Sequence, residues 1–371
     1  MLRKLESRPD WQIALTIAAS LRLFYSVAAA VVSPFLHPDP AVIRSNALTD
    51  NLPAPGGWHY ALLGIWERFD TLWYLRIAER GYDLPQAVIF YPLYPAAIRL
   101  VSWVMPFTAA ALMVSTVAAF FFFWGLQRLA AELSEVGRLR MVLLVCVWPT
   151  SFVLFAAYAE ALNVALIAWA VVFGRERRWW AATACGVLAG LCRPSGVLVA
   201  IPLAMMALRS RRWASVFVVL TPVGLLSYWG WLRCSGRLSV VEAYRVYQGA
   251  TLAPPWASIW QALRLIATQH DALLAIKLGL VVLVAALSLR REVRLEDKLF
   301  ALAVIVQMLM YTGRPLLGAA RYLMPAYPAF VMLGRYAERW WKRWQFSFYF
   351  CAFGFLNLMW MWAFLNWSLV F

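Results

Sequence analysis

The sequence predicts an all-α polytopic membrane protein with about eleven transmembrane helices and a long first external loop carrying short interfacial helices. Three observations carry that reading. The 371-residue chain is 63% hydrophobic and 14% charged, where a soluble domain carries about a quarter charged residues. Its mean hydropathy is +0.67. Continuous apolar runs of roughly 16 to 25 residues, without the alternation of an outer-membrane barrel, recur along almost the whole length. Between them the basic residues fall in short clusters, the pattern that marks cytoplasmic loops.

Those clusters are Arg3/Lys4/Arg8, Arg128/Arg138/Arg140, Arg175/Arg177/Arg178, Arg209/Arg211/Arg212, Arg290/Arg291/Arg294/Lys298 and Arg335/Arg339/Lys342/Arg343. They account for much of the +16 net charge, which therefore reads as topology and gives no nucleic-acid surface. Placing every cluster inside requires an even number of crossings between neighbours. The expected spans are 11–36, 104–127, 141–157, 160–174, 179–192, 196–208, 213–232, 272–289, 299–313, 319–334 and 346–368, with the N-terminus inside. The first stretch, Trp11 to Leu36, is too long for a signal-peptide core and has no clean cleavage site, so it reads as a retained span. Each of the segments 141–174 and 179–208 has room for two short spans or one long one, and the charge rule favours two. Spans this short would not cross alone and should be buried among longer helices or end in a cavity.

The whole chain, 1–371, reads as one integral membrane domain with two long external loops, 37–103 and 233–271, both away from the cytoplasm. Loops of this length in a compact membrane protein are usually functional. The 21 Trp suit interfacial belts, as at Trp179-Trp180 and Trp340-Trp341-Trp344. The five cysteines lie mostly within spans and have no metal-ligand spacing, and His37, His59 and His270 are scattered, so no metal site or cofactor is expected.

Within the first loop, Phe69 to Arg80 reads as a helix ending at Gly81, a residue suited to the C′ position. Trp66, Trp73, Tyr74 and Ile77 recur at helical spacing, giving an apolar face expected along the membrane surface. Asp70 falls in the first turn. One reading makes it only a helix cap. The other makes it a general base, since the helix N-terminus and nearby Arg68 both favour a negative charge there. Phe90-Tyr91-Pro92-Leu93-Tyr94-Pro95 follows, where two prolines forbid a regular helix across the segment.

The string Arg68-Phe69-Asp70-x-x-Trp73-Tyr74-x-x-Ile77-Ala78-x-x-Gly81-Tyr82, with the Phe90–Pro95 segment after it, resembles the first-loop signature of the PIG-V mannosyltransferases. Those enzymes add the second mannose in GPI-anchor assembly and have many bacterial relatives. The resemblance continues at Tyr158-Ala159-Glu160-Ala161-Leu162, similar to the family's Tyr-Ser-Glu-Ser-Leu, and at Arg193-Pro194-Ser195-Gly196, with a weaker match at Arg321-Tyr322-Leu323-Met324-Pro325. It covers residues 60–200 well and the rest by hydropathy only. Three departures stand out. Phe69 replaces a frequent Trp, and Trp73 replaces a common His, so Asp70 must work without that imidazole. Ala159 stands in place of the family's Ser, which removes a hydroxyl contact.

The resemblance implies a GT-C fold and an inverting glycosyltransferase that takes a hexose, with mannose the first expectation, from a polyprenyl-phosphate donor. The acceptor would be a lipid-linked or glycan hydroxyl. The active site would face the periplasm of a cell inner membrane, or the lumen of an ER membrane in a eukaryote. On that basis Asp70 is the expected base. Arg68, Trp73, Tyr74, Tyr82, Tyr91, Tyr94, Tyr158 and Glu160 are expected to bind substrate, and Arg193 and Arg321 to bind the donor phosphate.

The chemistry suits those residue types. An attacking hydroxyl must lose a proton as its bond forms, and a departing lipid phosphate gains negative charge that fixed cations stabilise. Ionisable residues at such depth are functional candidates, although an arginine there can also snorkel to the interface, and Glu160 can serve helix packing. A transporter or lipid flippase is the competing reading. It should show matching broken helices in two halves, whereas short hairpins are expected only in the first half. A non-catalytic scaffold would give Asp70, Glu160 and Arg193 no shared reason to face one side.

Overall fold

The computed structural model describes residues 9–46, 48, 56–210, 212–311 and 315–368. Arg3, Lys4, Arg8 and Arg211 of the basic clusters therefore lie outside the described residues. The regular structure among these is helical, and the recorded β pairing is an isolated antiparallel bridge between Leu252 and Tyr311.

The first apolar run forms α1 (Asp10–Val32), closed by a 3-10 turn at Ser33–Phe35. The first long loop holds α2 (Pro40–Asn46), α3 (Gly57–Leu62), α4 (Asp70–Arg80) and α5 (Leu93–Val101), and α6 (Phe107–Leu129) follows it. Next come α7 (Glu135–Cys146), α8 (Glu160–Arg175), α9 (Trp179–Cys192) and α10 (Ala200–Leu208). A 3-10 segment at Pro194–Val199 precedes α10. Another, Trp213–Leu220, leads into α11 (Val223–Cys234). The second long loop carries α12 (Val240–Gln248) and α13 (Pro255–Gln269). The chain then forms α14 (Ala272–Ser288), α15 (Leu295–Leu309), the short α16 (Ala319–Tyr322), α17 (Tyr327–Arg339) and α18 (Arg343–Leu365).

Among the described residues, four segments are long and apolar enough to cross a membrane: Asp10–Phe35, Phe107–Leu129, Trp213–Cys234 and Arg343–Leu365. Trp179–Cys192, Pro194–Leu208 and Ala272–Ser288 are shorter apolar helices. The protein is thus a helical integral membrane protein. Two expected spans differ in form. The one placed at 141–157 starts earlier, because Ser134 caps α7 by accepting from the Gly137 N–H, and it ends at Cys146. The one placed at 319–334 is broken into α16 and α17. Pro325 has no N–H to offer a helix, and its ring disfavours helical geometry in the residue before it.

Small residues let the helices approach closely. A Cβ on Gly125 of α6 would lie 3.1 Å from Ala168 Cβ on α8, the close packing that holds helices together without a hydrophobic driving force in lipid. The bundle has two distinct ends, and α8 runs from Glu160 at one to Arg175 at the other. At the Arg175 end the basic clusters pair with acids: Arg128–Glu176 at 2.7 Å, Arg175–Asp297 at 2.6 Å and Arg209–Glu296 at 3.0 Å. At the Glu160 end the two long loops meet. Arg237 Nη1 of the second loop donates to Tyr82 O of the first at 2.6 Å, and the Tyr228 hydroxyl on α11 donates to Val88 O at 2.9 Å.

The α4 helix begins one residue after the expected Phe69, which takes the N-cap position, and ends where the sequence places it, with Gly81 at φ 74° after Arg80. Its apolar face behaves differently from expectation. Trp66, Tyr74 and Ile77 are buried in the protein core, and Trp73 stacks on Phe90 at 5.5 Å. The periodicity gives an apolar face, but the neighbouring α5, α6 and α18 bury it before lipid can.

Candidate active site

Asp70 is aimed by its surroundings. Arg68 just before it is buried, with Nε donating to Leu365 O at 3.2 Å, Nη1 to Gly64 O and Glu67 O, and Nη2 to the Tyr60 hydroxyl at 2.7 Å. Phe69 is wedged against Phe364 and Trp367, with ring centroids at 6.0 and 5.5 Å. Its φ of 48° is a left-handed value that a residue with a bulky side chain rarely adopts. Such strain persists only where surrounding packing over-determines it. The kink turns the chain sharply into α4, and no side-chain cap bond forms at its N-terminus.

The Asp70 carboxylate instead meets Arg321, with Oδ2 2.8 Å from Nη1 across 251 residues of sequence. Arg321 stands on α16, which Trp148 fixes by donating its Nε1–H to Ala320 O at 2.9 Å. Gly318 before it has φ 71°, and a Cβ there would lie 2.9 Å from the Tyr322 ring, so this position needs glycine. The Arg321 guanidinium lies 5.3 Å from the Tyr158 ring centroid and 4.8 Å from that of Tyr322, and its Nη2 donates to the Tyr322 hydroxyl at 2.9 Å.

On its far side Arg321 Nε is 3.2 Å from Glu160 Oε1, and the same oxygen is 2.5 Å from Arg193 Nη1. Arg193 also lies over the Tyr322 ring at 5.1 Å. The result is a chain of charges: Asp70, Arg321, Glu160, Arg193. Glu160 opens α8 and Arg193 follows the last residue of α9, so each helix delivers its charge at its terminus. Glu160 Oε2 is buried and has no hydrogen-bond partner among the described residues. The exposures grade from Glu160 at 4% to Arg193 at 16% and Asp70 at 29%, so the chain is buried inside and open at the Asp70 end.

Tyr74 stands behind the cluster, with its ring edge to face with Tyr94 at 4.9 Å, and burial pushes its phenol well above the ordinary range. It serves there as a neutral hydroxyl. Burial likewise raises the Glu67 carboxyl, opposed by the 2.6 Å hydrogen bond from Thr108 Oγ1.

Of the residues selected from the sequence, Asp70, Tyr158, Glu160, Arg193 and Arg321 come together, with Tyr74 beside them. The others sit apart, each with partners inside the protein. Arg68 holds backbone carbonyls, and Trp73 stacks on Phe90. The Tyr82 hydroxyl donates to Phe90 O at 2.7 Å, Tyr91 accepts from Trp229 Nε1 at 3.0 Å, and Tyr94 bonds Ala111 O and Ser115 Oγ. Two residues not selected join the site. Tyr322 faces both arginines, and Tyr244 of the second loop, its ring tilted against Tyr311 at 5.1 Å, feels the charges of Arg193 and Asp70. The adjacency of Tyr322 to Arg321 was a usable signal; for Tyr244 the sequence held none. Among the described residues, no group of three or more His, Cys, Asp or Glu side chains converges.

No protein-family model matches this chain, and no curated protein matches it. Solved structures do. ArnT from Cupriavidus metallidurans bound to undecaprenyl phosphate aligns with TM-score 0.50 and 13% identity, over 94% of this chain and 76% of that one. The same protein in its apo state aligns with TM-score 0.49 and 13% identity, over 81% of this chain and 71% of that one. The fold is the GT-C fold of the undecaprenyl-phosphate-bound structure. At this identity the likeness concerns the fold alone.

Proposed function

We propose that this protein is a glycosyltransferase that moves a sugar from a polyprenyl-phosphate donor to a hydroxyl of a lipid-linked or glycan acceptor. The observation that carries the reading is the Asp70–Arg321–Glu160–Arg193 chain, in which one accessible carboxylate stands next to a buried and a half-buried guanidinium held as a pair. The GT-C fold supports it, since a protein with this fold has been seen with undecaprenyl phosphate bound. The finer reading, a hexosyl and specifically mannosyl transfer of the PIG-V kind, rests on the motif resemblance. So do the periplasmic or lumenal orientation and the cell inner membrane or ER location.

In the reaction the acceptor oxygen attacks the anomeric carbon and passes its proton to Asp70. The bond from that carbon to the phosphate oxygen breaks, and the lipid phosphate leaves with the electron pair. Arg321 and Arg193 stabilise the charge that develops on it. Glu160 holds both guanidiniums at the spacing of one shared oxygen and is a positioning residue. Arg321 is paired with Asp70. A phosphate on Arg321 weakens that pairing and frees the base as the leaving group arrives.

The test is transfer of label from radiolabelled polyprenyl-phosphate mannose into a membrane lipid extract by the purified protein. Label in an organic-soluble or glycan product, abolished by Asp70→Asn, supports the reading. No transfer from that donor or from its glucosyl, galactosyl or aminoarabinosyl counterparts removes it. Orientation is tested separately. With the exposed Cys234 and Cys351 replaced by Ser, a Cys at position 245 should react with a membrane-impermeant thiol reagent in intact cells, and one at 176 should not.

A further inference from the structure

An apolar groove of about 760 Å³ runs between α6, α8 and α9, outside the ion-pair cluster. It opens sideways, since Met113, Val117 and Phe121 on its wall are exposed. Trp124 and Trp169, edge to face at 4.8 Å, also line it. From Met113 to Arg128 the α6 wall extends roughly 22 Å, more than the about 15 Å of hydrocarbon in one leaflet. The charged residues on its wall are Arg128, Glu176 and Arg178, and all of them lie at the end of the bundle away from Asp70.

A second hollow of about 340 Å³ adjoins the groove across Arg178 and is lined by Arg177, Arg178, Arg212, Trp179 and Trp180. Four arginines thus ring the two spaces against one carboxylate. Glu176 lies 2.7 Å from Arg128 Nη2 and 3.9 Å from Arg178 Nη1, leaving Arg177 and Arg212 in excess. Arg177 has φ 59°, and the Arg178 N–H bonds back to Phe173 O at 2.8 Å, so the basic turn is folded onto the end of α8. Trp179 is buried, and its Nε1–H has no hydrogen-bond partner among the described residues.

We propose that this groove and its basic rim bind one anionic phospholipid from the leaflet at that end. An acyl chain lies along Val117, Phe121 and Trp169, and the phosphate sits among Arg177, Arg178 and Arg212. Any acyl chain can fill an apolar groove, so the rim supplies the selection. Surplus arginine charge at headgroup depth attracts an anionic lipid, and the guanidinium fork matches phosphate oxygens. A zwitterionic lipid brings a cation of its own to a site already rich in them. A polyprenyl chain entering from the Asp70 end would leave the arginines unused. The inference stands independently of the transferase reading.

The test uses the full chain in detergent micelles, with dioleoyl phosphatidylglycerol and dioleoyl phosphatidylcholine as probes. Phosphatidylglycerol should be retained through gel filtration roughly fivefold or more over phosphatidylcholine. The triple change Arg177→Gln, Arg178→Gln and Arg212→Gln should erase that preference, while Arg291→Gln outside the groove should keep it. In the unaltered protein, phosphatidylglycerol with a photoreactive acyl terminus should label peptides from Phe107–Leu129 and Glu160–Arg175. Equal retention of the two lipids overturns the proposal, as does a preference that survives the triple change or labelling that falls on other helices. Stronger retention of polyprenyl phosphate, indifferent to the arginines, overturns it as well. The labelling needs no variant and decides the matter even if the triple change prevents folding.

Discussion

At the basic end of the bundle, each oxygen of Asp297 has its own donor: Arg175 Nη2 at 2.6 Å on Oδ2 and the Tyr327 hydroxyl on Oδ1. At the opposite end, Glu160 Oε1 serves two guanidiniums while Oε2 has no hydrogen-bond partner among the described residues, and Asp70 keeps 29% of its side-chain surface open. Both are carboxylate–arginine networks at helix ends, and burial alone does not separate them, since Glu160 and Asp297 are both buried. Valence does. A network with every acceptor satisfied holds helices together. One that leaves a buried oxygen unpaired and a neighbouring carboxylate accessible has room for a ligand's own donors and charge.

Breaking the open network at its accessible member should give the largest effect. Asp70→Asn keeps size and polarity but removes the base, so expression and thermal stability should persist while transfer falls by roughly 10² or more. Near-normal turnover by a well-folded Asp70→Asn protein would reduce Asp70 to a partner for Arg321.

The arginines come next. Arg193→Lys keeps the charge but loses the planar fork, and Arg193→Ala loses both, so the alanine change should cost more, with transfer down by roughly 10 to 10². Because the phosphate gains charge as its bond breaks, much of that loss should appear in kcat and not only in apparent donor affinity. Arg321→Ala should behave similarly, and it also unpairs Asp70. Glu160→Gln keeps the shape but releases both guanidiniums, and its cost should fall between those of Arg193→Lys and Arg193→Ala. Arginine variants that bind and turn over donor normally would move the leaving-group site elsewhere.

Much of this arrangement could be read from the chain, and what could not has physical reasons. The α4 boundaries follow from local chemistry, with Gly81 as the stop, and α9 runs from Trp179 to Cys192 as its hydropathy indicates. Glu160 and Arg193 stand out because charges beside apolar runs are scarce, and Asp70 through its place in the first turn of α4 and the motif resemblance. Local signals do not show what a face packs against, so the Trp66, Tyr74 and Ile77 face is inside the protein and not on the membrane surface. Nor do they show pairing at long range. Arg321 meets Asp70 only because α16 is held by Trp148, and Trp148 O in turn accepts from Asn357 Nδ2 at 2.7 Å. The same long-range packing draws Arg68 to Leu365 O, and it brings Tyr244 in from the second loop.

The satisfied network should respond in the opposite way to the open one. Asp297→Asn leaves Arg175 without its counter-charge, and breaking a fully buried pair costs about 3–5 kcal/mol. Arg175 retains 22% of its side-chain surface, so the loss should be smaller. Thermal denaturation should show a lowered Tm, while the protein that remains folded transfers at a near-normal rate. A kcat loss matching that of Arg193→Ala, at unchanged Tm, would break the distinction between the two ends.

The smallest effect is expected from a pair that shares the site's end of the bundle but has the satisfied pattern. Arg76 grips Asp83 with Nε at 3.0 Å from Oδ1 and Nη2 at 2.7 Å from Oδ2, and its Nη1 donates to Leu48 O at 2.8 Å. The Arg76 hydrogen bonds hold the Asp83 carboxyl below its usual range. The folded value is depressed, so the stabilisation is present above the unfolded carboxylate range near 4 and disappears as pH falls through the lower folded value. The Asp83 side chain keeps 32% of its surface exposed, which limits the contribution to about 1 kcal/mol or less. Asp83→Asn should therefore lower Tm slightly at pH 7, with the difference from the unaltered protein vanishing in acid, and leave kcat unchanged. A kcat loss comparable to that of Asp70→Asn would mean that nearness to the site, and not open valence, is what marks a functional acid in this fold.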